Sequence, residues 1–466
     1  MFRRGLALLV SAALVVSVAA VGVRSARAQQ PATAPRPAAP YDSILKTSIR
    51  DIQDFWSEQM PAVYGVRYQA LPQSRIHAYT SKTDMSSITD CARGGATYKD
   101  FRHNAFHCPL DMTVNFDNQD LFPGLYKKFG AFTLAQVLSH EWGHVIQTQT
   151  GTEFPATVLA ETQADCFAGA WVEHVDSGDS KLLQLDPGDL DTGLAGMLEF
   201  SDPIGGDPTN KGAHGSGFDR VNAFQQGIEG GVARCAQWAD NPPLIVELPF
   251  SSALDVAQGG DLPFRDVVPT TKEDLDLYWG QFTFGGDPYQ SVSDVISYNP
   301  KDKGSLPKCS GYKASDYKDS IFYCPDEDFV AYDRNLVRSV YGEFGDFAVS
   351  VLVGNAWASA MQSRLDITGG DSKTAGLQAD CLTGAWVGSV PVDQEGTVQA
   401  RGQVESREAS FSLSPGDLDE VVQSFLVFAD PVEAKEASRG TAFERMEAFR
   451  LGFFQDEQAC LALTGS

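Results

Sequence analysis

The sequence is poor in basic residues, and its second half contains no histidine. It has 36 Lys and Arg against 61 Asp and Glu, which gives a formal net charge of −25. This deficit argues against nucleic acid or an anionic membrane surface as a partner. All seven histidines lie at or before His214, and no C-x-x-C pair occurs. A cysteine-based zinc site or redox motif therefore has little support.

Length and composition describe a folded protein with more than one core. The 466 residues suffice for two or three domains, and 43% of them are hydrophobic. Acidic residues are spread along the chain rather than gathered in one block, which predicts an acidic surface instead of a disordered tail.

The N-terminus has the pattern of an export signal. A basic start is followed by an apolar run from Leu6 to Val23 and by the cleavage pattern Ala26-Arg27-Ala28. We predict a signal peptide over residues 1–28, a Pro/Ala linker over 29–42, and a secreted or cell-envelope location. The alternative is an uncleaved membrane anchor, because the apolar run is long for a signal peptide.

The second half of the chain repeats the first about 220 residues later. Matching positions include Trp142 and Trp357, Gln147 and Gln362, Asp165 and Asp380, Gly169 and Gly384, and Arg220 and Arg445. We predict one domain over residues 43–240, a linker over 241–270, and a second copy over 271–466 that packs on or beside the first.

Each half contains four cysteines at corresponding places, and an exported protein is expected to form disulfides. Four cysteines allow three pairings within each half. We favour Cys91–Cys108 with Cys166–Cys235 in the first half, and Cys309–Cys324 with Cys381–Cys460 in the second.

The stretch around which the chain is organised runs from Thr133 to Trp171. Apolar residues recur in it at helical spacing, and His140, Glu141 and His144 form an H-E-x-x-H pattern. Because residues four apart share one face of a helix, both imidazoles face the same point. This arrangement is typical of a zinc site with Glu141 as the general base.

A third zinc ligand is available at Glu161, which begins an E-x-x-x-D pattern. We predict one Zn²⁺ held by His140, His144 and Glu161 in the first half. Asp165, one turn after Glu161, is interpreted either as an acceptor for a ligand histidine or as a structural residue. His214 is either a donor to the oxyanion of the reaction or a surface histidine of a loop.

The candidate chemical residues are all replaced in the second half, whereas the surrounding residues persist. His140, Glu141, His144, Glu161 and His214 correspond there to Asn355, Ala356, Ser359, Gly376 and Arg439. We therefore predict a degenerate copy without zinc ligands. The fold class is predicted as α+β, with helices over 43–59, 132–148, 160–175, 187–200 and 217–229, and strands between residues 75 and 117.

The first half resembles the bacterial predicted neutral zinc metallopeptidases, which are zincin-like proteins of the gluzincin type. The resemblance covers roughly Tyr41 to Trp238. The residues that carry it are DFW at 54–56, FHCP at 106–109, HEWGH at 140–144, ETQADCFAGAW at 161–171 and HGSGFDRVNAF at 214–224. It implies His140, His144 and Glu161 as zinc ligands and Glu141 as the catalytic residue.

The function predicted from these patterns is hydrolysis of peptide bonds in a peptide or protein substrate. Two alternatives remain at this point: a zinc-stabilised binding or scaffold protein without catalysis, and a zinc hydrolase that acts on cell-wall amide bonds.

Overall fold

The computed structural model describes residues 41–206, 213–246, 250, 252–284, 286–367, 371–391, 408–431 and 439–463. The predicted signal peptide and the linker up to residue 40 lie outside these ranges. The described residues fall into two compact units, one up to Phe250 and the other after it. Among them, no helix combines the length and the apolar character needed to cross a bilayer.

The first unit consists of helices around one small sheet. Its helices are α1 Tyr41–Tyr64, α2 Tyr98–Phe101, α3 Leu121–Phe129, α4 Ala131–Thr150, α5 Thr157–Asp176, α6 Asp189–Glu199 and α7 Gly217–Ala236. Its strands are β1 Ile76–Tyr79, β2 Ala105–Cys108 and β3 Thr113–Asp117. The central strand β3 pairs in parallel with β1 and in antiparallel with β2. Strand β2 thus lies at an edge of the sheet, and it packs against α4.

Helices α5 and α7 cross with almost no space between their backbones. A Cβ added to Gly227 would lie 1.9 Å from the Cys166 carbonyl oxygen, and one added to Gly169 would lie 2.0 Å from that of Phe224. Any side chain at either glycine would therefore force the helices apart. This contact holds α7 close to the helix that carries Glu161.

The second unit contains helices and strands in a similar order. Its helices are α8 Ala253–Gln258, α9 Phe264–Trp279, α10 Arg334–Glu343, α11 Asp346–Leu365, α12 Ser372–Ser389, α13 Asp417–Phe428, α14 Ala442–Phe454 and α15 Glu457–Leu461. Its strands are β4 Thr283–Phe284, β5 Asp287–Pro288, β6 Asp294–Tyr298, β7 Ile321–Cys324 and β8 Phe329–Asp333. Helices α8 and α9 both begin within the predicted 241–270 linker, and the domain boundaries remain predictions.

The three-stranded sheet of the second unit has the topology of the first. Strand β8 is central and pairs in parallel with β6 and in antiparallel with β7. The close helix crossing also recurs, because Cβ atoms added to Gly384 and Gly452 would each lie 1.9 Å from a carbonyl oxygen of the facing helix. Mixed helices and small sheets in both units agree with the predicted α+β class.

Two groups of sequence predictions are confirmed by this fold. The disulfides are Cys91–Cys108, Cys166–Cys235, Cys309–Cys324 and Cys381–Cys460, as favoured from the sequence. The five predicted helices are present with small shifts at their ends, as in Ala131–Thr150 for the predicted 132–148. The largest differences are at the C-terminal ends of α1 and α7, which extend to Tyr64 and Ala236.

Candidate metal centre

Helix α4 carries the H-E-x-x-H pattern, and the packing of its other faces in the core fixes its orientation. Leu134, Leu138, Trp142, Val145 and Ile146 are all fully buried. At Gly143 the helix lies so close to α5 that an added Cβ would be 2.7 Å from the Ala164 Cα atom. The two helices are therefore held together at the level of the two histidines, which places residues of α5 opposite them.

The structure brings His140, His144 and Glu161 together at this point. The Nε2 atoms of His140 and His144 lie 3.2 Å and 3.5 Å from the two carboxylate oxygens of Glu161. One ligand atom from each residue lies within 4.8 Å of the others. Their side chains are 12%, 18% and 14% exposed, so the cluster is mostly desolvated but remains open to solvent.

The far nitrogen of each imidazole is held by a hydrogen bond. His140 Nδ1 lies 2.7 Å from Asp165 Oδ1, and His144 Nδ1 lies 2.8 Å from Gln147 Oε1. A carboxylate oxygen only accepts in this setting, which assigns the proton of His140 to Nδ1, and we assign His144 in the same way. Both Nε2 atoms then face Glu161, and each would offer its lone pair to a metal ion bound there in place of a proton.

Asp165 is itself held by a buried arginine. Arg220 on α7 donates from Nε to Asp165 Oδ2 at 2.8 Å and from a terminal nitrogen to Oδ1 at 2.9 Å, and it also bonds the Phe200 carbonyl oxygen. Burial alone raises the pKa of Asp165, but Arg220 and His140 outweigh it and lower the pKa below its usual value. Asp165 is therefore ionised and able to accept the proton of His140 Nδ1.

Gln147 is positioned by a chain of amide hydrogen bonds. Its Nε2 donates to the Ala160 carbonyl oxygen at 2.7 Å and to Gln163 Oε1 at 3.0 Å. Gln163 in turn donates to the carbonyl oxygen of Cys235 at 3.0 Å. These bonds use both protons of the Gln147 amide and turn its oxygen toward His144. Gln147 and Arg220 recur in the second half, as expected of structural residues. The structure adds that Gln147 holds the ring of His144 and that Arg220 holds Asp165, the partner of His140.

Glu141 lies beside the cluster without being part of it. Its side chain is buried, and its Oε2 atom has no hydrogen-bond partner among the described residues. Burial raises the pKa of Glu141, an effect that His140, His144 and the backbone N–H of His107 on β2 oppose. A buried carboxylate with an unused oxygen is suited to exchanging a proton with a bound water.

The donor set fits zinc. Burial lowers the pKa of His140, but Asp165 and Glu161 outweigh it and raise the pKa to about 10. Burial raises the pKa of Glu161, and the two histidines outweigh that and lower it well below its usual value. The pocket is therefore electrostatically adapted to positive charge between the imidazoles and the carboxylate. Two imidazoles and one carboxylate are a common protein ligand set of catalytic Zn²⁺.

His214 contacts a different residue. Its side chain is 51% exposed, and its Nδ1 lies 3.5 Å from Asp202 Oδ1. Its backbone N–H also donates to Asp202, at 2.6 Å. The contacts described for His214 thus anchor the loop before α7, and its predicted role as an oxyanion donor stays a prediction.

His107 lies on β2, away from the H-E-x-x-H pattern in the sequence. The ring is partly buried, with Nε2 2.9 Å from Thr148 Oγ1 and Nδ1 3.1 Å from the Thr113 carbonyl oxygen. Its backbone, on the edge strand β2, faces Glu141. No local pattern marks this contact, because it arises only when β2 packs against α4.

Comparison with known proteins agrees with this site. The chain is 31% identical over 152 residues to an uncharacterised protein of Mycobacterium tuberculosis. The match covers 27% of this chain and 52%, about half, of that relative's length. It is 28% identical over 225 residues to the uncharacterised protein YpfJ of Escherichia coli, which covers 42% of this chain and 70% of the relative. No solved structure matches the chain. Residues 11–238 of the chain, just under half of its length, match the family described as "Putative neutral zinc metallopeptidase".

Proposed function

We propose that this protein is an exported zinc peptidase whose single metal ion is held by His140, His144 and Glu161. The observation that carries the proposal is that these three side chains converge while both imidazole Nδ1 atoms are bonded on the opposite side. A histidine pair that served only the core would not need both Nε2 atoms turned toward a carboxylate.

The chemistry of the bound metal explains the position of Glu141. When bound, zinc would lower the pKa of a coordinated water to about 7 and would polarise a carbonyl group. Glu141 accepts the proton of the attacking water at its unpartnered Oε2 and later delivers a proton to the leaving amine. Because Glu141 is buried, its raised pKa brings it closer to neutrality, where such a base transfers protons most effectively.

Asp165 and Gln147 act on the ligands rather than on the substrate. Asp165 keeps the His140 proton on Nδ1 and favours positive charge on the ring. Gln147 fixes the orientation of the His144 ring by accepting a hydrogen bond from its Nδ1. Arg220 keeps Asp165 ionised. We also propose His214 as a donor to the oxyanion, which requires the exposed loop before α7 to bring the ring toward the metal.

The second half enters the proposal as a copy without zinc ligands. At the aligned positions it has Asn355, Ala356, Ser359 and Gly376, none of which offers the imidazole or carboxylate ligands of a catalytic zinc site. One zinc ion per chain is the expected stoichiometry. Metal analysis of purified protein beside its His144→Ala variant measures this, and two ions per chain would contradict the assignment.

The variant Glu141→Gln tests the reaction itself. It removes the base but keeps the size of the side chain, so we expect one zinc per chain and a loss of peptide cleavage of about 10²–10⁴-fold. The matched control is Glu153→Gln, an exposed glutamate that follows the same helix. Equal degradation of a diverse peptide pool by Glu141→Gln and the unmodified protein would reject the peptidase assignment.

Peptidoglycan fragments assayed beside the peptide pool distinguish the two kinds of hydrolase. Cleavage of peptides by the unmodified protein and not by Glu141→Gln supports a peptidase. Cleavage of the cell-wall fragments alone would replace the peptidase assignment by that of an amidase. Zinc binding without cleavage of either substrate would indicate a binding or scaffold protein.

A further inference from the structure

A second group of possible metal ligands lies in the other unit. Asp261 precedes α9, Asp346 begins α11, and Glu420 lies on α13. One carboxylate oxygen from each residue lies within 4.8 Å of the others. Asp346 and Glu420 are buried, at 4% and 3% exposure, and Asp261 is partly buried.

These carboxylates lack a cationic partner. Within the ranges that the structure describes, neither Lys nor Arg forms an ion pair with Asp261, Asp346 or Glu420. Asp346 Oδ1 is buried and has no hydrogen-bond partner among the described residues. A buried oxygen of this kind is destabilising unless a ligand or a proton compensates it. The unpartnered oxygen is the feature that distinguishes this group from an ordinary acidic patch.

Glu420 is held in place by the start of α11. Its Oε2 atom accepts the backbone N–H groups of Phe347 at 2.7 Å and of Ala348 at 3.0 Å. Gly345, at φ +120°, makes room for it, because an added Cβ would lie 2.0 Å from Glu420 Oε1. The two N–H groups fix the orientation of the carboxylate but engage only one of its oxygens.

Among the described residues of the first unit, no carboxylates stand at the positions aligned with Asp346 and Glu420. In the sequence alignment of the halves, Asp346 corresponds to Ala131 and Glu420 to Thr192. Gly130, which corresponds to Gly345, has open space where Glu420 lies in the second unit. Helix α4 therefore begins without carboxyl groups at the positions aligned with Asp346 and Glu420, so these two residues are not required for such a helix to form.

We propose that Asp261, Asp346 and Glu420 bind one Ca²⁺ ion in the second unit. Calcium takes ligands that are all oxygen, in a flexible geometry that three carboxylates can satisfy in large part. Zinc prefers nitrogen and sulfur, and Mg²⁺ usually retains several waters.

The neighbourhood favours a cation over the bare carboxylates. Asp417 adds a fourth carboxyl group close by, and Ser414 donates to both of its oxygens through its backbone N–H and its hydroxyl. Burial is the main cause that raises the pKa of Asp346 to about 7. Without a cation the group must therefore hold protons near neutrality, and a bound calcium ion would displace them.

Titration of the full-length, zinc-loaded protein with Ca²⁺, after removal of traces of calcium, tests this site. We expect one Ca²⁺ per chain and a rise in the thermal midpoint at about 1 mM Ca²⁺, the range typical of extracellular calcium modules. Magnesium at the same concentration should produce a much smaller rise. Zinc content and peptide cleavage report the other site, so the two proposals can fail separately.

The variant Asp346→Asn removes one charge at nearly constant shape and should weaken Ca²⁺ binding by at least about 10-fold. Glu420→Gln is the second variant, should the first not fold. The control is Asp326→Asn, at an exposed position of the same unit, which should bind calcium normally. The proposal would be overturned if the unmodified protein did not bind Ca²⁺, or if Asp346→Asn and Glu420→Gln both bound it as tightly as the unmodified protein. The three residues would then be a group of carboxylates that share protons.

Discussion

The two units build the same frame around different central residues. Asp165 bonds His140 at 2.7 Å in the first unit, and Asp380 bonds Asn355 Nδ2 at 2.8 Å in the second. The arginine Nε atom lies 2.8 Å from the aspartate Oδ2 in the first unit and 2.7 Å in the second. Both arginines also bond a backbone carbonyl oxygen, that of Phe200 or Phe428. The frame therefore forms with or without a histidine at its centre.

The glutamine chain repeats in the same way. Gln362 donates to the Ala375 carbonyl oxygen and to Gln378 Oε1, both at 2.9 Å, and Gln378 donates to the Cys460 carbonyl oxygen at 3.2 Å. In the first unit this chain ends at His144, whereas the second unit has Ser359 at the aligned position. The comparison indicates that these polar networks are structural first, and that in the first unit they also hold the rings of His140 and His144.

Replacement of the central aspartate should have the largest effect on this comparison. Asp380→Ala leaves the fully buried Arg445 without its partner and should destabilise the second unit by about 3–5 kcal/mol. Asp165→Ala should cost the first unit a similar amount, because Arg220 is equally enclosed, and should also weaken zinc binding.

Denaturant unfolding gives the loss of stability, and hydrogen exchange of peptides from each unit assigns it to one of them. Zinc affinity, measured by competition with a chelator, should fall only in Asp165→Ala. If Asp380→Ala left the stability unchanged, the aspartate–arginine pair would not stabilise its unit. If it lowered zinc affinity as strongly as Asp165→Ala, the effect of the pair would not be confined to its own unit.

Replacement of the paired glutamines should have the next largest effect. Gln147→Leu removes the acceptor of His144 Nδ1 and should lower zinc affinity by about 10–100-fold. Gln362→Leu should leave zinc affinity unchanged, although each variant should cost its own unit about 1–2 kcal/mol because buried amide and carbonyl groups lose a partner. Equal zinc affinities in the two variants would show that Gln147 serves the frame alone.

The sequence predicted the parts of this site that are encoded by spacing along one helix. His140 and His144 lie four residues apart, and the repeat separated them from persisting neighbours such as Trp142. The bonding of one acceptor, Asp165, to both His140 and Arg220 explains why it persists as Asp380 where no histidine is present. The sequence left two roles open for Asp165, an acceptor for a histidine and a structural residue. Its bond to His140 matches the first role and its bond to Arg220 the second.

Features that depend on distant segments could not be predicted. The backbone N–H of His107 faces Glu141 only because the edge strand β2 packs on α4. Asp261, Asp346 and Glu420 are separated by dozens of residues, and no periodic pattern links them. Charge composition alone gives no reason to expect that these particular acids are buried together, since most acidic side chains lie at the surface.

The smallest expected effect concerns acid stability, in which the units should differ because only the first contains histidine. Burial, with a contribution from His144, lowers the pKa of His107 from its usual 6.5 to about 4. The folded protein then binds fewer protons than the unfolded chain between these values, so the contribution of His107 is complete above pH 6.5 and is lost as the pH falls toward 4. We expect a loss on the order of 1–2 kcal/mol, discounted for partial exposure.

The variant His107→Gln keeps polar groups for Thr148 and Thr113 but cannot titrate, so its stability should fall less than that of the unmodified protein over this pH window. The difference between the two curves isolates His107 from acid release of zinc, which affects both proteins. The aligned residue of the second unit is Tyr323, whose pKa is raised by burial to about 12 and which stays neutral throughout. Parallel curves for the two proteins would mean that the ring is solvated enough to accept a proton in place, and that the acid sensitivity of the first unit arises from groups other than His107.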